Sequence, residues 1–203
     1  MMLGLPGSTE VRQQIPKKSV YEKFNLSAAE RNRFDADIHK MFIVNEISSK
    51  TLNIAVGEKV KRIYAIEVAL QSEKYNPKSI VALNDLINQK LVFILTYGEQ
   101  SKLAIYNGKL IEGQWVKSEG LILELKGLDM DSVWDNIVID VGDIIVEEGR
   151  TLDEQIAEDS SREEIQKQID ILDRKIKNEK QPRIKRELYN QIRALQESQR
   201  NGL

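Results

Sequence analysis

The chain has no cysteine and a single histidine, His39. The first absence excludes disulfides, thiolate nucleophiles and Cys-ligated zinc. The second excludes multi-histidine metal centres and leaves histidine-based catalysis to one side chain. His39 stands beside Lys40 at the expected end of a helix, where a cation complements the helix dipole. No apolar run exceeds Leu91 to Leu95, far below the roughly 20 residues that span a bilayer. The opening MMLGLPGSTE has no basic segment followed by an apolar run, so it does not read as a signal peptide. A soluble cytoplasmic protein without membrane contact is expected. There is no Walker loop, no G-x-G-x-x-G and no G-x-S-x-G. The glycines of Leu3 to Ser8 lack the lysine and the strand-to-helix setting of a phosphate loop. No cofactor and no metal site is expected.

What is present is charge, unevenly distributed. The net charge of −2 conceals three blocks. Residues 1–128 hold 18 Lys/Arg against 14 Asp/Glu, residues 129–160 hold Arg150 against eleven acids, and residues 161–203 hold eleven Lys/Arg against seven acids. Such asymmetry suits surfaces aimed at different partners. A length of 203 residues with 41% hydrophobic content fits one α/β domain plus an appendage. The expected division is an N-terminal arm over 1–26, a core over 27–128, an acidic connector over 129–160 and a helical hairpin over 161–203.

Pro6 and Pro16 bracket an irregular arm with one helical turn after Ser8. Val11, Ile15, Val20, Tyr21 and Phe24 are too apolar for a free tail, so the arm packs on the domain. Ser27-x-x-Glu30 is a capping box opening a helix that buries Phe34, Ile38 and Met41. Residues 42–48 read as a strand, and Arg62 to Leu70 as a central one because both faces are apolar. Asn76-Pro77 is an N-cap followed by proline at the first helical position, and Leu91 to Tyr97 is another interior strand. Asn107-Gly108 marks a tight hairpin, and Leu121 to Leu125 reads as a further strand of a meander. Asp129 or Asp131 caps a short helix carrying Trp134, and a helical pattern resumes at Thr151. The fold class is α/β (α+β): a small mixed sheet with flanking helices and a C-terminal antiparallel coiled-coil hairpin.

The hairpin is written in the spacing. Ile165, Ile169, Leu172 and Ile176 recur at helical steps, as do Ile184, Leu188, Ile192 and Leu195. Paired across Pro182, their residue numbers total 360 or 361, so facing residues stand equally far from the turn. Pro182 breaks the helix because it lacks a donor and clashes with the preceding turn. Two apolar residues per heptad make a narrow, coiled-coil seam. Two such helices are marginal alone; they need the domain, a second copy in a homodimer, or another protein. The tip is basic: Arg174, Lys175, Lys177, Lys180, Arg183, Lys185 and Arg186 stand against Glu179 alone. Within it Lys177, Lys180, Arg183, Lys185 and Arg186 are the partner-binding candidates, for an acidic partner or a nucleic-acid backbone. No aromatic is interleaved to stack bases.

Glu67 is the weak candidate for chemistry. It interrupts an apolar strand, and perturbed carboxylates gather at functional sites. The structural alternative is an ion pair with Lys90 or Lys102. Glu124-Leu125-Lys126 has the spacing that nucleases of the restriction-endonuclease type use, with an upstream Asp, to hold Mg²⁺. No Asp lies on a convincing strand before it, and the tripeptide is common by chance.

The motifs LGLPGSTEV, IPKKSVYEKFNLS, TLNIAVGEKVKRIYAIEVAL, LVFILTYG and KIKNEKQPRIKRELYNQIRAL together resemble the bacterial domain-of-unknown-function family 4391, over most of the chain. The resemblance implies a small α/β domain with a C-terminal coiled-coil hairpin. It also implies a genetic setting beside helicases and DNA methyltransferases, in phage-defence or restriction-like systems. Relatives resemble Glu-Ile-Glu-Leu-Lys where this chain has Glu67-Val68-Ala69-Leu70-Gln71, so Ala69 and Gln71 remove two groups of a nuclease-like strand. The expectation is a non-catalytic accessory subunit of a DNA-directed complex that contacts a helicase or methyltransferase subunit through its hairpin. The alternative is a metal-dependent nuclease-like domain, degenerate at its site.

Overall fold

The computed structural model describes residues 3–200, which divide into two compact units with the boundary between Ile145 and Val146. The first unit is a mixed seven-stranded sheet with helices on both faces. Its strands are β1 (Glu10–Gln14), β2 (Ile38–Ser48), β3 (Arg62–Leu70), β4 (Lys90–Tyr97), β5 (Gln100–Asn107), β6 (Lys109–Glu112) and β7 (Val116–Lys117). The spatial order β1-β2-β3-β4-β5-β6 is the chain order, with β7 also paired to β5. All pairings are antiparallel except β3–β4, whose parallel connection carries the helix α4 (Pro77–Leu86). The other helices are α1 (Lys17–Lys23), α2 (Ala28–Asp37), α3 (Ser49–Leu52) and α5 (Met130–Gly142) in this unit, and α6 (Leu152–Asn178) and α7 (Pro182–Arg200) in the second.

Register fixes which side chains share a face. Val68, Leu95 and Lys102 form one row across β3, β4 and β5; Phe42, Glu67, Ile94 and Leu103 form the next, pointing the other way. The first face carries a core of Ile38, Met41, Ile66, Val68, Phe93 and Leu95, which Val20, Phe34, Ile80 and Leu83 from α1, α2 and α4 complete. Lys17 and the Tyr21 hydroxyl both donate to the Asp35 carboxylate, tying α1 to α2. Burial and that bond push the Tyr21 hydroxyl up to about 12. The opposite face is closed by α5, whose Met130, Val133, Trp134, Ile137, Val138 and Val141 are buried.

Of the arm expected over 1–26, Glu10–Gln14 is a strand of the sheet and Lys17–Lys23 is the helix α1. Glu10–Gln14 pairs with β2, and Ile15 donates to the Met41 carbonyl. Its polar sequence concealed this, because an edge strand exposed on both faces has no alternation to read: only Val11 among Glu10–Gln14 is not fully exposed. The helix from Ser27 stops at Asp37, and Ile38 and Met41 lie on β2 instead. The periodicity misled because β2 carries bulges, so the first of its buried positions 38, 41, 45, 47 and 48 mimic helical spacing. His39 accordingly stands exposed on a strand, not at the helix end. Leu121 to Leu125 is no strand; apart from an isolated bridge between Leu3 and Ile122 it is irregular. Of the stretch 129–160, Met130–Gly142 is α5 and Leu152 onward is α6. Asp129 caps α5 in a box with Ser132, whereas Asp131 does something else, described below.

The second unit is the hairpin. Thr151 and Glu154 cap α6 reciprocally, and α6 runs unbroken to Asn178, about 40 Å at 1.5 Å per residue. Pro182 is the first residue of α7, where its missing N–H is harmless.

Candidate functional site

The hairpin seam assembles from both helices. Ile169, Ile176 and Ile192 are buried, with Ile165, Leu172, Leu188 and Leu195 partly buried against them. Ile184 lies outside this cluster and lines an open groove near the turn with Ile171, Leu188, Arg174 and Lys175. A second groove opens along the hairpin between Gln168, Ile171, Leu172, Gln191, Ala194 and Leu195. Ile171, off the expected seam, remains 51% exposed.

At the turn the lone acid is already engaged. The Glu179 carboxylate accepts from the backbone N–H groups of Lys180 (2.7 Å) and Gln181 (2.9 Å). These bonds, that from Gln181 foremost, hold its carboxyl below the usual carboxylate range. Lys177, Lys180, Arg183 and Arg186 are exposed and Lys185 is half-buried. Arg183 pairs with Glu187 one turn on at 3.4 Å; Lys177, Lys180, Lys185 and Arg186 make no ion pair among the described residues.

Glu67 is half-buried on the face opposite Lys102, so those two side chains cannot meet. Lys102 pairs with Glu112 at 2.8 Å and lies over the rings of Tyr75 and Trp115. Lys90 shares Glu67's face but aligns with Ile63, four residues away along β3, about 13 Å at strand rise. Among the described residues no cluster of three or more His, Asp or Glu side chains is placed to hold a metal. Glu124 and Lys126 bond to each other at 2.6 Å, with Asp140 of α5 at 3.6 Å from the same ammonium. The pair lowers the Glu124 carboxyl and raises the Lys126 ammonium. The lysine thus bridges the two carboxylates and offsets one of their charges, and the segment is irregular rather than a sheet strand.

A polar cleft that sequence reasoning missed lies at the start of β3 and β4, with a volume of about 840 Å³. Lys23, Lys59, Lys61, Arg62 and Lys90 line it against one acid, Asp85. Lys59, Lys61 and Arg62 are visible as a basic run, but Lys23 and Lys90 join them only through the fold. The loop before β3 is shaped by Asp131, whose carboxylate accepts from the N–H groups of Glu58 (2.7 Å), Lys59 (3.1 Å) and Val60 (2.6 Å). Gly57 is required there, since a Cβ would stand 2.5 Å from the Asp131 carboxylate and 2.7 Å from the Val60 carbonyl.

A seven-stranded mixed α/β unit followed by a helical hairpin defines the class of this protein. The family model of the domain of unknown function DUF4391 matches residues 3–198, and the chain belongs to that family. No curated protein and no solved structure matches it. Among the described residues no helix is long and apolar enough to cross a membrane.

Proposed function

We propose that this protein is a non-catalytic interaction subunit of a DNA-directed complex of the phage-defence or restriction-like kind, and that its C-terminal hairpin is the contact. The observation that carries the reading is the open groove of Ile171, Leu172, Ala194 and Leu195 along the hairpin. Exposed Ile171 and Ala194 beside the partly buried Leu172 and Leu195 match the way a partner helix is received in a groove. The unpaired cations at the turn add an electrostatic guide for an acidic partner surface. The genetic setting that the family resemblance implies supports a helicase or methyltransferase subunit as that partner.

The test is co-purification with a helicase or methyltransferase subunit encoded beside the protein. Wild type retains it and Ile171→Asp loses it. Lys177→Gln, Lys180→Gln, Arg183→Gln and Lys185→Gln together weaken the complex and flatten its salt dependence. A complex indifferent to both changes overturns the proposal. Purified protein is expected to leave plasmid DNA intact with Mg²⁺ or Mn²⁺; cleavage that disappears in Glu67→Gln would replace this reading with the nuclease one.

A further inference from the structure

The cleft at the start of β3 and β4 holds charge in a distinctive way. Ammonium groups on protein surfaces are commonly neutralised by carboxylates, but here the holding partners are mostly neutral. Lys23 donates to the carbonyls of Asp85 (2.8 Å) and Leu86 (2.9 Å) at the end of α4. Lys90 stands over the Trp134 ring at 4.9 Å and donates to the Asn107 side-chain carbonyl at 3.5 Å. Lys61 donates to the Gly57 carbonyl at 2.6 Å, and its charge adds a small part to the lowering of the Asp131 carboxyl. Lys59 makes no ion pair among the described residues. Of the five cations only Arg62 has a direct carboxylate partner among the described residues, Glu46 at 3.0 Å. Neutral partners fix an ammonium's position without cancelling its charge. Lys23, Lys61 and Lys90 are therefore positioned cations, Lys59 is an exposed one beside them, and the lining holds one acid, Asp85.

Size and chemistry narrow the ligand. A volume of about 840 Å³ far exceeds one phosphate or carboxylate and falls in the range of sites for nucleotide-sized molecules. Between the cations the walls offer the amides of Asn84, Asn88 and Gln89 and the phenol of Tyr106. These supply neutral donors, acceptors and one aromatic surface, which suit sugar and base more than a second row of charge. We infer that this cleft binds nucleotide phosphates, taken from a single nucleic-acid strand or from a free nucleoside triphosphate. The site lies on the first unit and does not depend on the hairpin reading.

The test uses the full chain and fluorescein-labelled dT12 in a fluorescence-anisotropy titration at several salt concentrations. Wild type binds saturably, with a log–log salt slope of about −2 for three phosphate contacts on a single strand. Lys23→Gln, Lys59→Gln and Lys90→Gln together lower affinity at least tenfold at 50 mM salt and bring the slope toward zero. Displacement by millimolar ATP identifies free nucleotide as a ligand; displacement by unlabelled dT12 alone identifies the strand. If circular dichroism shows the triple variant unfolded, Lys59→Gln alone decides, with an expected loss of about 0.7 from the slope. Failure of dT12 and ATP to bind, an unchanged slope in these variants, or equal displacement by poly-L-glutamate overturns the inference. So does loss of dT12 binding in the hairpin-tip variant with retention in the cleft variant, a result that would leave the hairpin proposal standing.

Discussion

Lys102 shows how a buried charge is accommodated here. It is 9% exposed, its ammonium meets Glu112, and two aromatic rings flank it. The Tyr75 hydroxyl donates to the same carboxylate, and burial followed by that bond raises the hydroxyl well above its ordinary value. Lys102→Met would leave Glu112, itself exposed, without its cation, and losing one partner of this part-buried pair should cost about 1–2 kcal/mol. Urea denaturation measures it, and Lys102→Met with Glu112→Leu should recover most of the loss. Asp131 gives a pH signature. The Val60 N–H above all, then those of Lys59 and Glu58, lower its carboxyl against the opposing effect of burial. A carboxyl depressed in the folded state contributes stability that is complete above its unfolded value near 3.9 and disappears as pH falls through the folded value. The melting temperature of wild type should exceed that of Asp131→Asn at pH 6, and the gap should close as pH falls below about 4. A gap independent of pH would mean the loop does not rely on that charge.

At the scale of elements, legibility followed how much local chemistry each one needs. Capping at Ser27 and Asn76, the Asn107-Gly108 turn and the strands β3 and β4 were readable because each has its own signal. The hairpin was readable for the same reason: Ile169 and Ile192 repeat at helical steps on either side of a proline. β1 was not, because its place comes from hydrogen bonds to β2 and not from its own side chains. The cleft was not, because Lys23 and Lys90 meet only after α4 crosses between the parallel strands. The hairpin itself yields a measurable contrast. Ile169→Ala removes a buried seam side chain and should cost about 2–4 kcal/mol. Tyr189→Ala on the outer surface of α7, 57% exposed, should change stability by less than about 0.5 kcal/mol. Equal effects in urea denaturation followed by far-ultraviolet circular dichroism would show that the seam does not hold the helices together.

At the scale of the whole molecule, each unit has an apolar cluster of its own. That of the first includes Met41, Phe93 and Leu83; that of the second is the Ile169, Ile176 and Ile192 seam. A fragment ending at Ile145 should therefore fold by itself, with a cooperative thermal transition and dispersed amide resonances. A fragment that stays unfolded would show that the hairpin completes the first unit. The strand order carries a consequence for how the protein is made. Neighbours in the sheet are neighbours in the chain from β1 to β6, so a polypeptide leaving the ribosome amino terminus first always presents its newest strand to a partner already translated. The sheet can grow by annealing at one advancing edge. After β1, which waits for β2, no strand has to wait for a later one or force its way between two earlier ones, and α5 follows in time to cover the second face before the hairpin is synthesised.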